Sequence, residues 1–232
     1  MNETFRVFRS GDRTTAKDSK PPETKITLTA NPTLDLIVCG LEEITPDCKS
    51  LIAGLSDTQK AKLSSEKNGI LFGKLAEMHV WQVLTRLAEG NSLIKIDPIP
   101  SGHETKNYRF EQSGHNVIVY KRHSSLSCVE YDMLTEIDGL PVIWEVKSGS
   151  SLSNAVSSQR VKTITRPLIQ YYGKNNFGYV VVGPKYSSEP TKAQQRFTRN
   201  QGIIARVPIT KIQFESEIMN ANGNGNGNGS HS

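Results

Sequence analysis

The 232-residue sequence lacks several features that mark whole classes of protein. No stretch approaches about 18 consecutive apolar residues, which excludes the ordinary signal of a transmembrane helix. The N-terminal residues contain no apolar core of the kind found in signal peptides. The number and spacing of the cysteines suit neither a disulfide framework nor a metal site, since there are only three, Cys39, Cys48 and Cys128. These absences predict a cytoplasmic protein that does not act on a membrane.

Acidic residues are scarce in one part of the chain. Residues 141–214 contain 11 Lys and Arg but only 2 Asp and Glu, a balance of +9. The remaining residues hold 17 basic and 21 acidic side chains, a balance of −4, so the whole chain carries +5. A basic segment of this kind is typical of proteins that bind a polyanion such as nucleic acid. The alternative is a basic surface that is simply solvated.

Composition and periodicity divide the chain into four parts. They are a flexible N-terminal arm (residues 1–33), an accessory segment (34–69), a main domain (70–214) and a disordered low-complexity tail (215–232). Within the accessory segment, LDLIVCG (34–40) predicts an edge strand. Residues 55–68 predict a polar helix with Ser56 as its N-cap.

The main domain begins with a predicted helix over residues 70–88, in which apolar residues recur every three or four positions. Glu77 lies four residues from both Gly73 and Trp81, so its carboxylate points toward the apolar side of the helix. Gly73 leaves room for it one turn earlier. The alternative is a glutamate at the edge of the stripe that reaches water or pairs with a cation.

Four strand-like segments and a second helical segment follow the first helix. In chain order they are strands at 115–122, 128–137 and 141–148, a helix in the middle of 153–175 that Pro167 kinks or splits, and a strand at 177–183. This order predicts an α/β fold with a mixed central sheet flanked by helices. Residues 202–209 predict a further edge strand, because Pro208 suits an edge better than a centre.

The dipeptide Asp138-Gly139 between two strand-like runs predicts a β-hairpin with a two-residue loop. In that register Ile137 pairs with Leu140. A three-residue loop would shift the register by one position, so the pairings inferred farther from the turn depend on the loop length.

The predicted register gathers charged side chains on one face of the hairpin. Asp132 lies opposite Glu145, and Glu130 lies opposite Lys147. Two opposed carboxylates repel each other unless a cation lies between them. Carboxylate oxygens suit a hard cation such as Mg²⁺ or Mn²⁺. The alternative is a salt-bridged face in contact with solvent.

The segments EYDML (130–134) and VIWEVKSG (143–150), joined by a short hairpin and preceded by a helix with Glu77, resemble the PD-(D/E)xK nuclease superfamily. That superfamily includes type II restriction endonucleases and Holliday-junction resolvases. The resemblance covers residues 70–183 and implies a restriction-endonuclease-like α-β-β-β-α-β core. It also implies a Mg²⁺-dependent endonuclease that hydrolyses phosphodiester bonds in DNA. Tyr131 stands where the strict motif has proline, a departure that is common in the superfamily.

The resemblance implies a role for each site residue. Asp132, Glu145 and the Val146 carbonyl bind Mg²⁺, with Mn²⁺ as a possible substitute. Lys147 positions the attacking water, and Glu77 matches a helix-one glutamate that some members use as a metal ligand.

Nucleic-acid contacts are expected from a helix-two glutamine, for which Gln159 competes with Gln170, and from the basic segment. The residues assigned to these contacts are Gln170, Arg160, Lys162, Arg166, Lys174, Lys192, Arg196 and Arg199. Two other functions stay open: an RNA-cleaving toxin or defence effector of the same superfamily, and a catalytically silent nucleic-acid-binding module. Family analogy also leads us to expect a homodimer, or a complex formed through the N-terminal segment.

Overall fold

The structure is a computed structural model that describes residues 26–63, 69–147, 152–185, 190–208 and 216–217. The predicted arm up to residue 25 and the predicted tail from residue 218 lie outside these ranges. The helices are α1 (Pro32–Glu43), α2 (Cys48–Ala53), α3 (Asp57–Leu63), α4 (Gly69–Ala88), α5 (Ser158–Tyr172) and α6 (Lys192–Arg199). The strands are β1 (Thr27–Leu28), β2 (Ile94–Ile96), β3 (Tyr108–Ser113), β4 (Asn116–Lys121), β5 (Ser127–Tyr131), β6 (Met133–Ile137), β7 (Leu140–Val146), β8 (Asn176–Pro184) and β9 (Ile203–Val207).

The central sheet is mixed and is flanked by helices, as predicted. Its strands lie in the order β1-β8-β7-β6-β2, and β9 pairs with β8. β6 is antiparallel to both of its neighbours, β2 and β7. β8 runs parallel to β7, β9 and β1. β9 is the predicted edge strand at residues 202–209. None of the helices in the described ranges is both long and apolar enough to cross a membrane.

The two faces of the central sheet build two hydrophobic cores, because successive side chains of a strand point to opposite faces. On β7, Trp144 and Val146 join a core with α1, α2 and α4. Ile143, on the other face, joins a core with α5, α6 and the strands β3, β4 and β5. The helix predicted at residues 70–88 is confirmed as α4. The second predicted helix is confirmed as α5, which Pro167 does not split.

The predicted edge strand at residues 34–40 is wrong, because these residues form the body of α1. The Asn31 side chain caps this helix by accepting the Leu34 N–H at 2.7 Å, and Pro32 occupies its first turn. The buried positions follow a helical period and are Leu34, Ile37, Val38 and Leu41. A seven-residue apolar run is too short to separate a strand from a buried helix by composition. The N-cap predicted at Ser56 is confirmed, since its Oγ accepts the Gln59 N–H at 3.3 Å.

The segment predicted as one strand at 128–137 is divided between two sheets. β5, which ends at Tyr131, pairs with β4 in a separate antiparallel sheet of β3, β4 and β5. β6, which begins at Met133, pairs with β7 in the central sheet. The strand predicted at 115–122 is therefore in the second sheet, and Asp132 is the residue at which the chain passes from one sheet to the other.

The predicted hairpin is confirmed, with Ile137 paired with Leu140. Both loop residues have positive φ, 50° at Asp138 and 73° at Gly139, which is the requirement of a type I′ turn. The right-handed twist of the flanking strands matches this turn. The loop length therefore sets the register of β6 and β7.

We expect Gly139→Ala to lower the free energy of unfolding by about 1–2 kcal/mol, because alanine is strained at this φ. Gly40→Ala is the matched control. Gly40 lies inside α1, where an added Cβ would meet no atom within 4 Å, so alanine should leave stability equal or raise it. Urea denaturation of both variants tests the contrast, and equal effects would contradict the turn assignment.

Candidate functional site

Asp132 lies beside the C-terminal end of β7, because the chain passes from the second sheet to the central sheet at this residue. Its Oδ2 accepts the Val146 N–H at 2.6 Å. The N–H and C=O of one strand residue point to the same side, so the Val146 carbonyl also faces the side of Asp132. Counted away from the hairpin loop, the last backbone pair of β6 and β7 is Met133–Trp144, and Asp132 is the next residue beyond it. The Asp132 carboxylate therefore accepts the backbone N–H that has no partner on β6.

Lys147 lies between the two predicted carboxylates. Its Nζ is 2.7 Å from Glu145 Oε1 and 3.8 Å from Asp132 Oδ2. The Glu145 side chain is 5% exposed, whereas that of Lys147 is 36% exposed. The structure thus brings together the three residues that the sequence assigned to one site. The ammonium faces solvent on one side and the buried acids on the other.

Arg160 provides a second cation at the same carboxylate. Its Nη2 lies 3.0 Å from Glu145 Oε1 and 2.9 Å from Glu145 Oε2. Arg160 belongs to the first turn of α5, where the Ser157 N-cap hydroxyl accepts its N–H at 3.1 Å. The sequence assigned Arg160 to phosphate contacts. In the structure it contacts the acid of the predicted site.

Burial is the main cause that raises the pKa of Asp132, to about 7. The charges of Glu145 and Glu77 raise it further, whereas the Lys147 ammonium and the Val146 N–H act to lower it. Burial therefore outweighs the stabilisation that the Lys147 ammonium and the Val146 N–H give to the Asp132 charge. A carboxylic acid with this pKa is partly protonated at neutral pH.

In EDTA, we expect the free energy of unfolding of wild type to fall relative to that of Asp132→Asn as the pH rises from about 4 to about 7. The pKa of Asp132 is about 7 in the folded protein and about 4 in the unfolded chain, so the folded state binds more protons across this interval. The loss is on the order of 4 kcal/mol. Asp132→Asn lacks this contribution, because its amide does not titrate. Both proteins keep the opposite contribution of buried His79, whose pKa burial lowers to about 4.

Urea denaturation at pH values below and above this interval measures the slope. Glu43→Gln, which removes an exposed acid at the end of α1, is the matched control and should keep it. An equal slope in wild type and Asp132→Asn would contradict the assignment of the titration to Asp132.

Glu77 projects from α4 into a polar cluster beside the acid pair. Its Oε2 lies 3.3 Å from Lys74 Nζ and 3.5 Å from His115 Nε2. Burial acts to raise the pKa of Glu77, but the His115 hydrogen bond and the Lys74 charge outweigh it, so that the net shift is downward. The alternative that Glu77 pairs with a cation therefore describes its contacts in the structure. Its charge also acts on Asp132.

The predicted opposition of Glu130 and Lys147 is wrong. Glu130 lies opposite Ile118 in the second sheet, and its Oε1 accepts the Asn116 Nδ2–H at 3.1 Å. The hairpin register does not extend to this position, because the chain leaves the central sheet at Asp132.

The structure does not bring Gln170 to the acid pair. Gln170 is exposed near the end of α5, ten residues or about 15 Å of helix from Arg160, and its Oε1 accepts the Thr105 hydroxyl at 3.3 Å. The competing Gln159 is exposed in the first turn, next to Arg160. Lys174 lies toward the hairpin loop, since its Nζ donates to the Gly139 carbonyl at 2.8 Å.

The other predicted phosphate-contacting residues are exposed on two helices of the same sheet face. They are Lys162 and Arg166 on α5, and Lys192, Arg196 and Arg199 on α6.

Three residues of the polar cluster were missed at the level of sequence: Lys74, His115 and Asn116. Lys74 Nζ lies 3.2 Å from His115 Nε2 and 3.3 Å from Asn116 Oδ1. Lys74 could have been found, because it lies one turn from Glu77 on a predicted helix. His115 and Asn116 are more than 35 residues away from Glu77 in the chain and had no local signal.

The donor atoms around Lys147 suit a hard divalent cation. They are carboxylate oxygens with a backbone carbonyl nearby, and a bound cation would stabilise the largely buried Asp132 charge. Among the residues described, no three His, Cys, Asp or Glu side chains form a group that could hold a metal ion. Mg²⁺ is commonly bound by only one or two protein carboxylates together with water and substrate phosphate, so an ion of this kind needs fewer protein ligands than such a group would provide.

Comparison of the chain with protein-family models, curated proteins and solved structures gives no match. The functional assignment therefore depends on the geometry of the site.

Proposed function

We propose that the protein is a Mg²⁺-dependent endonuclease that hydrolyses phosphodiester bonds in DNA. The observation that carries this proposal is the arrangement of Asp132, Glu145 and Lys147, in which one partly exposed ammonium lies between two largely buried carboxylates. The raised pKa of the largely buried Asp132 means that its charged form destabilises the folded protein. Perturbed titrating groups of this kind are typical of catalytic sites.

The order of elements around the site supports the same proposal. α4, β2, β6, β7, α5 and β8 follow one another in the chain, and β3, β4 and β5 form a separate sheet between β2 and β6. The strands of this series are antiparallel up to β7, and β8 is parallel to β7. This order supports a core of the α-β-β-β-α-β kind expected of PD-(D/E)xK nucleases, if β2 takes the place of the strand predicted at 115–122.

Asp132 and Glu145 would hold the Mg²⁺, with the Val146 carbonyl facing the same side. Glu77 would act on the site through its charge. When bound, the ion would supply Lewis-acid stabilisation of the phosphate charge and lower the pKa of a water. The hydrogen bond from the Val146 N–H fixes the orientation of Asp132 before any ligand binds. The two carboxylates are thus preorganised by the end of one strand.

Lys147 can orient the attacking water. An ammonium has three N–H donors, and the contacts to Glu145 and Asp132 hold it in place. Its exposed side remains available to a water or a phosphate oxygen. A positioned group of this kind typically contributes about 100- to 10,000-fold to a rate.

Arg160 can bind the phosphate that is cut. Its guanidinium has five N–H donors in a rigid fork, and its contacts with both Glu145 oxygens come from Nη2. Tyr179 also has a side-chain hydrogen bond with this guanidinium, and the donors that remain can bind a phosphate oxygen. The side chain is 33% exposed, so its outer edge can reach a ligand.

Incubation with supercoiled plasmid, and separately with structured RNA, tests the proposal. Each reaction contains Mg²⁺, Mn²⁺ or EDTA, and wild type is compared with Asp132→Ala and Lys147→Ala. We expect wild type to nick and linearise the plasmid with either metal, with no cleavage in EDTA or by the variants. Cleavage of RNA alone would assign the site to an RNA-cleaving effector. Salt-sensitive DNA binding without cleavage of any substrate would indicate a binding module.

A further inference from the structure

A groove of about 580 Å³ lies between β1, the start of α5 and the end of α6. The groove is lined by residues 26–28, by residues of the segment from Val156 to Lys162, and by residues of the segment from Arg196 to Gln201. Its apolar residues belong to the core on the α5 side of the central sheet. The groove is separate from the acid pair, and neither Asp132 nor Glu145 lines it.

The rim of the groove is basic. Lys162 enters from α5, and Arg196 and Arg199 enter from α6; all three are exposed. None of the described residues that line the groove is acidic. Three positively charged side chains around a concave surface favour an anionic ligand. The guanidinium groups of arginine can donate two hydrogen bonds to phosphate oxygens.

The floor of the groove is apolar. Leu28, Val156 and Val161 contribute aliphatic surface, and Phe197 lies below them with only 3% of its surface exposed. The Phe197 ring packs edge-on against Tyr179 with the centroids 5.3 Å apart, so it supports the floor from beneath. An apolar floor under a basic rim suits a ligand with a flat organic part and a phosphate.

Two amide side chains, those of Asn200 and Gln201, line the same groove. The turn that carries them is fixed, because the Gly202 N–H donates to the Phe197 carbonyl at 3.0 Å and a Cβ at Gly202 would overlap the Phe197 ring. Gln201 itself has a φ of 63°. Amide groups combine donors and acceptors in the way that base edges require.

We propose that this groove binds one unpaired nucleotide of the nucleic-acid substrate, with its phosphate at the basic rim and its base on the apolar floor. Surfaces that bind single strands combine a positively charged groove with aromatic side chains on which the bases stack. Here the basic rim surrounds an aliphatic floor with Phe197 beneath it. The inference rests on the proposed nuclease function, which it extends to substrates that have single-stranded segments.

The first turns of α5 link the groove to the acid pair. Arg160 points to Glu145, and Lys162, two residues later and therefore about 200° around the helix, points to the groove. The two sites lie on opposite sides of one helical turn, separated by about 10 Å, the diameter of a helix. A nucleotide in the groove therefore belongs to a strand whose cleaved phosphate is a short distance away.

Fluorescence anisotropy in EDTA tests this inference without cleavage. Wild type is titrated with a short labelled duplex that is either blunt or carries a single-stranded overhang of DNA or RNA. We expect about tenfold tighter binding of an overhang, or about 1.4 kcal/mol, because the overhang adds contacts to the basic rim and the apolar floor. Ser158→Trp, which places a bulky side chain at an exposed groove position, should abolish this preference and leave the affinity for the blunt duplex unchanged.

Charge is tested with a matched pair of variants. Arg199→Gln should weaken the binding of the overhang, whereas Lys49→Gln, which removes an exposed cation on α2 across the central sheet, should not. Equal affinity of wild type for blunt and overhang duplexes, or a preference that survives in Ser158→Trp, would overturn the inference. A change of oligomeric state in Ser158→Trp would also overturn the inference, because it would assign the groove to contact with a second copy of the chain.

The two proposals fail in different ways. Because the binding experiment contains EDTA, it can succeed even if no metal-dependent cleavage exists. Conversely, plasmid cleavage with no overhang preference would refute the groove inference alone.

Discussion

Replacing Lys147 by methionine is expected to slow DNA cleavage by about 100- to 10,000-fold, because the variant loses the donor that orients the attacking water. Methionine keeps much of the length of the side chain but removes its charge. It also removes the ammonium that lies between Asp132 and Glu145. Single-turnover cleavage of an end-labelled DNA at saturating Mg²⁺ measures the effect on the chemical step separately from product release.

Lys95→Met is the matched control for this prediction. Lys95 lies on β2 of the same sheet and pairs with Glu136 at 2.6 Å, but it is largely exposed. An exposed pair of this kind contributes at most about 1 kcal/mol to stability, and we expect cleavage at the rate of wild type. If Lys147→Met cleaved as fast as Lys95→Met, the ion pairs of Lys147 would be structural and its proposed role would be wrong.

Asp132→Asn is expected to lower cleavage by about 1000-fold or more, and to raise the free energy of unfolding above pH 7 in EDTA. The activity falls because a neutral amide is a poor ligand for Mg²⁺, whose contribution is several kcal/mol. The stability rises because burial and neighbouring acids make the Asp132 charge unfavourable in the folded state. The Asn oxygen can still accept the Val146 N–H, so the strand end is preserved.

Opposite changes in activity and stability separate a functional acid from a structural one. Glu136→Gln, on the same hairpin but paired with the exposed Lys95, is the control and should change neither property strongly. Chemical denaturation and the single-turnover assay are run on the same preparations. An Asp132→Asn protein that is both less stable and inactive would mean that the carboxylate supports the fold, against the proposed role.

The features that the sequence predicted correctly have local causes. The Asp138-Gly139 loop needs two residues of positive φ, and its length alone sets the register of β6 and β7. The helix α4 follows from apolar residues at helical spacing. The grouping of Asp132, Glu145 and Lys147 was predictable because all three lie within a few residues of that hairpin.

The features that the sequence missed depend on contacts between distant segments. The change of sheet at Asp132 has no local signal, because residues on both sides of it are equally strand-like. The contact of Arg160 with Glu145 and that of His115 with Lys74 join segments that the sequence does not place side by side. Helix α1 was mistaken for a strand because its short apolar core suits either structure.

The dependence of the single-turnover cleavage rate on Mg²⁺ tests the central claim most directly. A labelled DNA is mixed with excess wild-type protein in EDTA, and the metal is then added over a range of concentrations. The account predicts no cleavage in EDTA, a rate that rises and saturates with Mg²⁺, and no such rise with Asp132→Asn. Cleavage that proceeds in EDTA, or that responds to Mg²⁺ equally in wild type and Asp132→Asn, would contradict it.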